Sequence, residues 1–420
     1  MWTKCLSEFD RLPRAQCPPT VLSRLQALDE QSGEPALDWS RRQIISATNW
    51  VGTMRVPGGC VDILPKTGFA HVAPDVVQSR LLRLLAGAGM LPVEDRDWGG
   101  VFAEAMPLWE SIAVIVARRL SRAILAGIPR AYHRIDDDAP VIRGRLRVET
   151  LVRQTPPRLE RPPISYDELT TDTALTRILR DLARRLYLSV RGTEAARITR
   201  EPWLLLEPLA RDWQAADDVG DLSRNELKFA PLVAFHRLLV AGCSTGLGSG
   251  DDQAFSLVFP MERVFEGYVA HLLRRYARTT GCPTPWVQGG PGFAHLLRDV
   301  TGSGVGRLKP DLALADAEGR PVLIIDTKWK DLAGRAPSAA DLYQIHAYAA
   351  HWQCAENLLL LPAQGEQLTR SYVVNHDPKK RVRVGFIRIH QDDVTALTDL
   401  AALIVATPST LTVTPQPIST

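Results

Sequence analysis

The sequence lacks paired cysteines. Its six, Cys5, Cys17, Cys60, Cys243, Cys282 and Cys354, form no CxxC and are irregularly spaced. That argues against a zinc ribbon and against a disulfide scaffold, and scattered thiols suit a reducing compartment. Long apolar runs are missing too. The stretch at 112–117 falls far short of the roughly 20 residues a membrane-crossing helix needs. The start, MWTKCLSEFDRLPR, has no apolar secretory region. The expectation is therefore a cytoplasmic protein with no membrane contact. No GxxxxGK[ST] occurs, which argues against a nucleotide held by a P-loop. No HExxH occurs either, and His346 and His351 are five apart, a poor pair for one helix face. A zinc hydrolase is therefore disfavoured. Charge of one sign is scarce. A net charge of +3 leaves nucleic-acid contact to local patches rather than to a global field.

What is present is ordinary for a globular chain: 45% apolar and 23% charged residues. A length of 420 residues implies two or three domains. The expected division is a β-rich region at 1–140, a helical middle region at 141–253 and a mixed α/β region at 254–420. The first forty residues read as irregular, with Cys17-Pro18-Pro19 and Ser32-Gly33-Glu34-Pro35 as breakers. Residues 43–64 read as strands around a Pro57-Gly58-Gly59 turn, either a projecting element or a plain hairpin. Apolar spacing predicts helices at 75–88, 104–125 and 171–188, the last capped by Thr170 or Thr171. A further helix is expected at 227–239. The prolines at 156–157 and 162–163 suggest a boundary between domains, and Gly246 to Asp252 a flexible joint.

The final third carries the chemistry. A helix is expected at 260–280, strands at 311–314 and 321–327 joined by Ala317-Glu-Gly-Arg320, a helix at 338–352, and strands at 357–362 and 382–389. The glycine-rich run Gly302 to Gly306 reads as a loop. Lys309-Pro310-Asp311 opens the first strand and Asp326-Thr327-Lys328 ends the second. Side chains alternate along a strand, so Asp326 and Lys328 share one face while Thr327 points to the other. Fifteen residues separate Asp311 from Asp326, enough for two short strands and a tight turn that set both carboxylates at neighbouring strand ends.

Phosphodiester hydrolysis needs an activated water, a Lewis acid and charge stabilisation, and two carboxylates holding Mg²⁺ with a nearby lysine supply them. A lone DTKWK is most simply a solvated strand end, but the PD at hairpin spacing makes that reading less economical. Glu266 in the preceding helix is a further carboxylate, with Glu262 one turn earlier as its rival. Gln344 and Tyr348, four apart, share one helix face; Gln344 is taken as a site candidate and Tyr348 as core. The expected catalytic set is Asp311, Asp326, Lys328, Glu266 and Gln344. The metal set is Asp311, Asp326 and Thr327, with Mg²⁺ as cofactor and Mn²⁺ as its alternative.

The strings FPMERVFEGYV, KPDLAL, LIIDTKWK and DLYQIHAYA, together with NWVGTMRV, VDILPKTG, VIRGRLRVETL and SYDELTTDTALTRILRDLARRL, follow one another in the order seen in the McrC family. This chain resembles that family over most of residues 43–390. The resemblance implies the nuclease subunit of a modification-dependent McrBC restriction system, with a PD-(D/E)xK nuclease fold at the C-terminal end. It further implies cleavage of double-stranded, methylated DNA, a McrB-like AAA+ GTPase hexamer as partner, and dimerisation of nuclease domains as a route to cutting both strands. Met261-Glu262 departs from the Met-Asn common in the family, and residues 1–40 and 405–420 lie outside the match. Other readings are a stand-alone RecB- or Cas4-like repair nuclease and a nuclease-inactive regulator of an AAA+ ring. Only Cys354 follows the DTK segment, which argues against an iron–sulfur Cas4 type. Lys66 and Arg143-Gly-Arg145-Leu-Arg147 are candidate contacts for an acidic partner surface. Lys379-Lys380-Arg381-Val-Arg383 is a candidate basic edge for DNA.

Overall fold

The computed structural model describes residues 1–31, 33–93, 106–153, 159–243, 254–289 and 294–406. The flexible joint expected at 246–252 and the prolines at 156–157 lie outside them. The chain divides into two compact units. One combines Met1–Leu91 with Gly242–Thr420, and the other is Pro92–Ala241. This differs from the sequential division 1–140, 141–253 and 254–420, because the last segment returns to pair with the first.

The chain begins with β1 (Trp2–Ser7), β2 (Arg11–Pro13) and α1 (Pro19–Gln31), so the irregular start expected from its prolines is corrected. Pro19 stands at the first helical position, where its missing N–H costs nothing. Val21, Leu25 and Leu28 form the buried stripe. Then come β3 (Leu37–Asp38), β4 (Ile44–Ala47), β5 (Trp50–Val56), β6 (Gly59–Leu64) and α2 (Pro74–Gly87). The run at 43–64 is thus three strands. Strands β5 and β6 form a hairpin across Pro57-Gly58, where Gly58 supplies a φ of 91°. Their residues are almost wholly buried, and a side chain on Gly59 would overlap Val21 of α1. The hairpin is therefore core, not a projecting element.

The second unit is built on α3 (Leu108–Leu125), buried on nearly every side. After it come β7 (Ala131–Asp138), β8 (Arg145–Leu146), α4 (Val148–Arg153), β9 (Pro163–Thr170), α5 (Ala174–Ser189), α6 (Thr193–Leu206) and α7 (Ala230–Ala241). Helix α5 buries the expected stripe, Leu175, Ile178, Leu179, Leu182 and Leu186. Its cap is Thr173, not Thr170 or Thr171: Thr173 accepts the N–H of Thr176. Thr171 instead donates its hydroxyl to Leu209 O at 2.9 Å. Strands β7, β9 and β8 form a three-stranded sheet around the stretch expected to be a boundary, while α5, α6 and α7 make the rest of the middle region helical, as expected. Side chains along β7 are exposed at almost every position.

In the last segment, β10 (Phe255–Pro260) precedes α8 (Met261–Thr280). Strand β10 pairs antiparallel with β5, from Phe255 opposite Arg55 to Pro260 opposite Trp50, and completes the sheet β1-β6-β5-β10. Gly52 has a φ of 133°, and a Cβ there would overlap the Leu257 carbonyl. Pro260 caps α8 at its start, and Gly281, with φ 73°, ends it in the left-handed conformation that suits glycine.

Next are β11 (Trp286–Val287), β12 (Ala294–Arg298), β13 (Gly304–Leu308), β14 (Leu312–Ala315), β15 (Pro321–Thr327), α9 (Ala339–His351), β16 (Glu356–Pro362), β17 (Arg370–Val374), β18 (Asp377–Ile387) and α10 (Asp393–Val405). The glycines expected to be a loop lie at the turn and in the returning strand of the β12–β13 hairpin. Six strands form a sheet ordered β11-β14-β15-β16-β18-β17, with β15, β16 and β18 parallel. The unbroken apolar run of β16 fits a strand covered on both faces. Leu359 and Leu361 pack with Ile345 of α9. Leu358 lies where Gly385 leaves room for Leu403 of α10. Among the described residues no helix is long and apolar enough to cross a membrane.

Gly52→Ala should destabilise the fold by roughly 2 kcal/mol or more, since it combines a strained φ with a clash against fixed backbone. Gly58→Asn, at a turn position that asparagine tolerates, should cost far less. Thermal unfolding of both variants decides the matter, and equal losses would count against this role for Gly52.

Candidate active site

The sheet edge at the end of β15 gathers the polar residues. Leu312 lies opposite Ile325, which brings Asp311, just before β14, to the level of Asp326 and Thr327. The Asp311 position is pinned by main-chain bonds: Gln288 N–H donates to Asp311 O at 2.7 Å, and Gly289 N–H donates to Pro310 O at 2.9 Å. The Asp311 side chain is pinned as well. Its Oδ2 accepts both the N–H and the hydroxyl of Thr327, each at 2.8 Å. The Thr327 hydroxyl is thus a donor that holds a carboxylate, and only its main-chain carbonyl is left as a metal contact. Alternation correctly places Asp326 with Lys328. It does not reveal that Asp311, which precedes its strand, turns back to Thr327.

Asp326 is fully buried, and neither carboxylate oxygen has a hydrogen-bond partner among the described residues. Lys328 Nζ approaches Oδ2 at 2.9 Å, an ion-pair contact without hydrogen-bond alignment. Burial pushes the Asp326 carboxyl up to about 6, the charge of Asp311 adds to this, and Lys328 partly offsets it. For Lys328, burial works to lower the pKa, yet the charges of Asp326, Asp311 and Asp341 outweigh it and hold the ammonium above its ordinary value. Lys328 therefore stays a cation at neutral pH, which favours charge stabilisation over proton abstraction.

Helix α9 supplies the other side of the lysine. Lys328 donates to Gln344 Oε1 at 3.0 Å, and Gln344 Nε2 donates to the Tyr348 hydroxyl at 2.9 Å. Tyr348 in turn donates to Lys309 O at 3.0 Å, closing a ring of bonds back to the strand of Asp311. Tyr348 is buried, as expected, but its hydroxyl also serves the site. The helix start is fixed by a capping box between Ser338 and Asp341, and Lys330 pairs with Asp341. Lys330 and Asp341 escape a reading from sequence alone because neither stands in the PD…DxK spacing.

Of the two rival carboxylates on α8, Glu266 is the one near the cluster. Burial raises its pKa, and the charge of Asp311 adds to this, while a bond from Gln288 and the charges of Lys309 and Arg263 pull it down. Glu262 is exposed and accepts a bond from Asn49 Nδ2 at 2.7 Å, which ties the helix start to the loop before β5. The basic run at 379–383 lies in β18 rather than in a turn: Lys379 and Arg381 are exposed, Lys380 pairs with Asp377, and Arg383 is buried and donates to Leu403 O at 2.6 Å. Lys66 pairs with Asp10 at 3.0 Å on the surface.

Among the described residues no group of three or more His, Cys, Asp or Glu side chains stands ready to hold a metal ion. The residues nevertheless suit a hard cation such as Mg²⁺, which binds through one or two carboxylates and keeps several waters. The buried, unbonded oxygens of Asp326 offer the lone pairs such an ion requires.

A family model described as McrBC 5-methylcytosine restriction system component matches residues 45–362. Among solved structures, the chain is similar to one in the refined half-complex from the tetradecameric assembly of Thermococcus gammatolerans McrB AAA+ hexamers with bound McrC. The TM-score is 0.69 at 17% identity, over 96% of this chain and 100% of that one. It is also similar to a chain in the cryo-EM structure of the Thermococcus gammatolerans McrBC complex, with a TM-score of 0.53 at 18% identity, over 65% of this chain and 87% of that one. No curated protein matches. At these identities the structural likeness speaks for a shared fold, while the family match spans most of the sequence. The chain belongs to the McrBC restriction system component family, as a McrC-family protein.

Proposed function

We propose that this chain is the DNA-cutting subunit of a McrBC-type restriction system, a Mg²⁺-dependent endonuclease of PD-(D/E)xK type that works with a McrB-like AAA+ GTPase hexamer on methylated double-stranded DNA. The observation that carries the reading is Asp326: a fully buried carboxylate whose one close cation among the described residues is Lys328 at 2.9 Å, with the charge of Asp311 beside it. A buried charge persists only when something compensates it, and a cation held there does so.

Asp311, Asp326 and the main-chain carbonyl of Thr327 would hold the ion. When bound, Mg²⁺ polarises the scissile phosphate and acidifies the attacking water. The protein's own groups do the rest. Thr327 fixes the Asp311 carboxylate through two bonds, so the acidic pair is preorganised. Lys328, oriented by Gln344, sets a positive charge against the phosphate oxygens. Glu266, beside Asp311 and with its pKa raised by burial, would take the proton of the water. Mn²⁺ would fit the same oxygen ligands.

The exposed sheet of the second unit is the proposed docking surface for the ring. Tyr132 of β7, Val141 and Ile142 between β7 and β8, Val148 and Val152 of α4, and Leu159 before β9 are all exposed, and such a concentration of apolar surface marks an interaction site. Arg145 lies in β8, with Arg143 just before it and Arg147 just after it, and Arg147 pairs with Asp136 at 3.3 Å.

Asp326→Asn and Lys328→Ala should each lower Mg²⁺-dependent cleavage of duplex DNA by about a hundredfold or more while the folded state is retained. Parental cutting by a folded Lys328→Ala protein, alongside its ring, would sink the assignment. The raised pKa of Asp326 gives a second test. Its folded-state value, about 6, exceeds the ordinary 3.8, so ionising it costs stability, by about 3 kcal/mol once the pH is above 6. Without metal, Asp326→Asn should therefore melt higher than the parent at pH 7–8, and the gap should close below pH 4. A gap independent of pH would contradict this. Val152→Asp with Ile142→Asp should abolish ring capture in a pull-down and leave Mg²⁺-dependent DNA binding intact. Undiminished capture would place the docking surface elsewhere.

A further inference from the structure

One buried carboxylate stands outside the cluster of Asp311, Asp326 and Lys328 yet is bonded to the residue that follows Lys328. Glu8, just after β1, is fully buried. Its Oε1 accepts the indole N–H of Trp329 at 2.8 Å, and its Oε2 accepts the main-chain N–H of Lys66 at 2.8 Å. A bond from the Thr67 main chain joins them. Its own N–H donates to Leu64 O at 2.9 Å, so Glu8 is locked to the end of β6. Trp329 is 7% exposed, and its ring centre lies 5.6 Å from that of Phe265, the residue before Glu266.

The indole is thus held on two sides, its polar edge by Glu8 and its flank by Phe265. The backbone immediately before it carries Lys328, whose N–H donates to Leu360 O at 2.9 Å and whose side chain reaches Asp326 and Gln344. The chain leaving β15 therefore has one anchor in the sheet and the next in the indole. A small turn of that indole would shift Lys328 relative to Asp326, and displacements near 1 Å at a reacting centre cost on the order of a hundredfold in rate.

We propose that Glu8 is a positioning residue for the cutting centre: through the Trp329 indole it sets the path of Asp326 to Lys328, so the N-terminal strands are a working part of the nuclease. The inference rests on the nuclease reading above. The chemistry favours a carboxylate over its amide. Three N–H donors converge on two oxygens, and glutamine would turn an NH2 toward one of them, leaving buried donors unmet.

The test uses the full chain with its ring and Mg²⁺. Trp329→Phe keeps an aromatic ring beside Phe265 and removes the N–H with part of the indole's bulk; Glu8→Gln removes one acceptor; the third protein carries both changes. Cleavage turnover is measured together with duplex affinity in Ca²⁺ by fluorescence anisotropy and with thermal unfolding. Each single variant should lose about tenfold or more in kcat while duplex affinity stays within about twofold. The double variant should be no slower than the slower single, because both remove the same bond. Parental kcat in either folded single variant overturns the proposal, as do losses that multiply in the double or that fall on affinity instead of kcat. The parent and Lys328→Ala run alongside. If the parent does not cut, or Lys328→Ala cuts at its rate, the nuclease reading fails and this inference falls with it. If both behave as expected and the Glu8 and Trp329 variants do not, only the role of Glu8 is lost.

Discussion

Six residue pairs between β5 and β10, from Trp50 with Pro260 to Arg55 with Phe255, bring distant parts of the chain together. The candidate site depends on that pairing. It sets the start of α8, where Met261 N–H donates to Asn49 O at 2.9 Å and Asn49 reaches Glu262. From that start, helical geometry carries Phe265 to Trp329 and Glu266 toward Asp311. The close approach of the strands requires Gly52 to have no side chain, so a single backbone position underlies the placement of several functional groups.

The candidate site is a managed conflict of charge. Asp326 sits where an ion is costly, and burial and Asp311 both push its proton affinity up. Lys328 answers part of this and is kept cationic by three acidic neighbours. Around the conflict stand neutral groups that do not titrate at physiological pH: Thr327 holds Asp311, while Gln344 and Tyr348 hold Lys328 and the carbonyl of Lys309. The network fixes geometry without cancelling the local negative charge. That combination suits a centre meant to bind a cation and then a phosphate.

Much of this edge was legible in the sequence because strand alternation and hairpin spacing are local rules. They locate Asp326 and Lys328 on one face and Asp311 at a neighbouring strand end, and helical spacing puts Gln344 with Tyr348. Local rules failed where a distant partner decides. The prolines at 18–19 read as breakers, but one of them starts α1, whose stripe is buried against the hairpin that Gly59 allows to approach. The burial of Arg383 in the basic run at 379–383 was not legible because it comes from the parallel and antiparallel neighbours of β18, while Lys379 and Arg381 stay exposed. Glu8 gave no signal at all, since its partner lies 321 residues away.

The second unit begins after Leu91 and ends before Gly242, so it is an insertion within a fold whose two parts already pair with each other. Every residue assigned here to cutting, from Glu8 through Lys328 to Gln344, is encoded outside it. The exposed apolar sheet is encoded wholly inside. Such an arrangement is modular in an evolutionary sense: the inserted cassette can diverge while the candidate site keeps its own, separately selected, set of contacts.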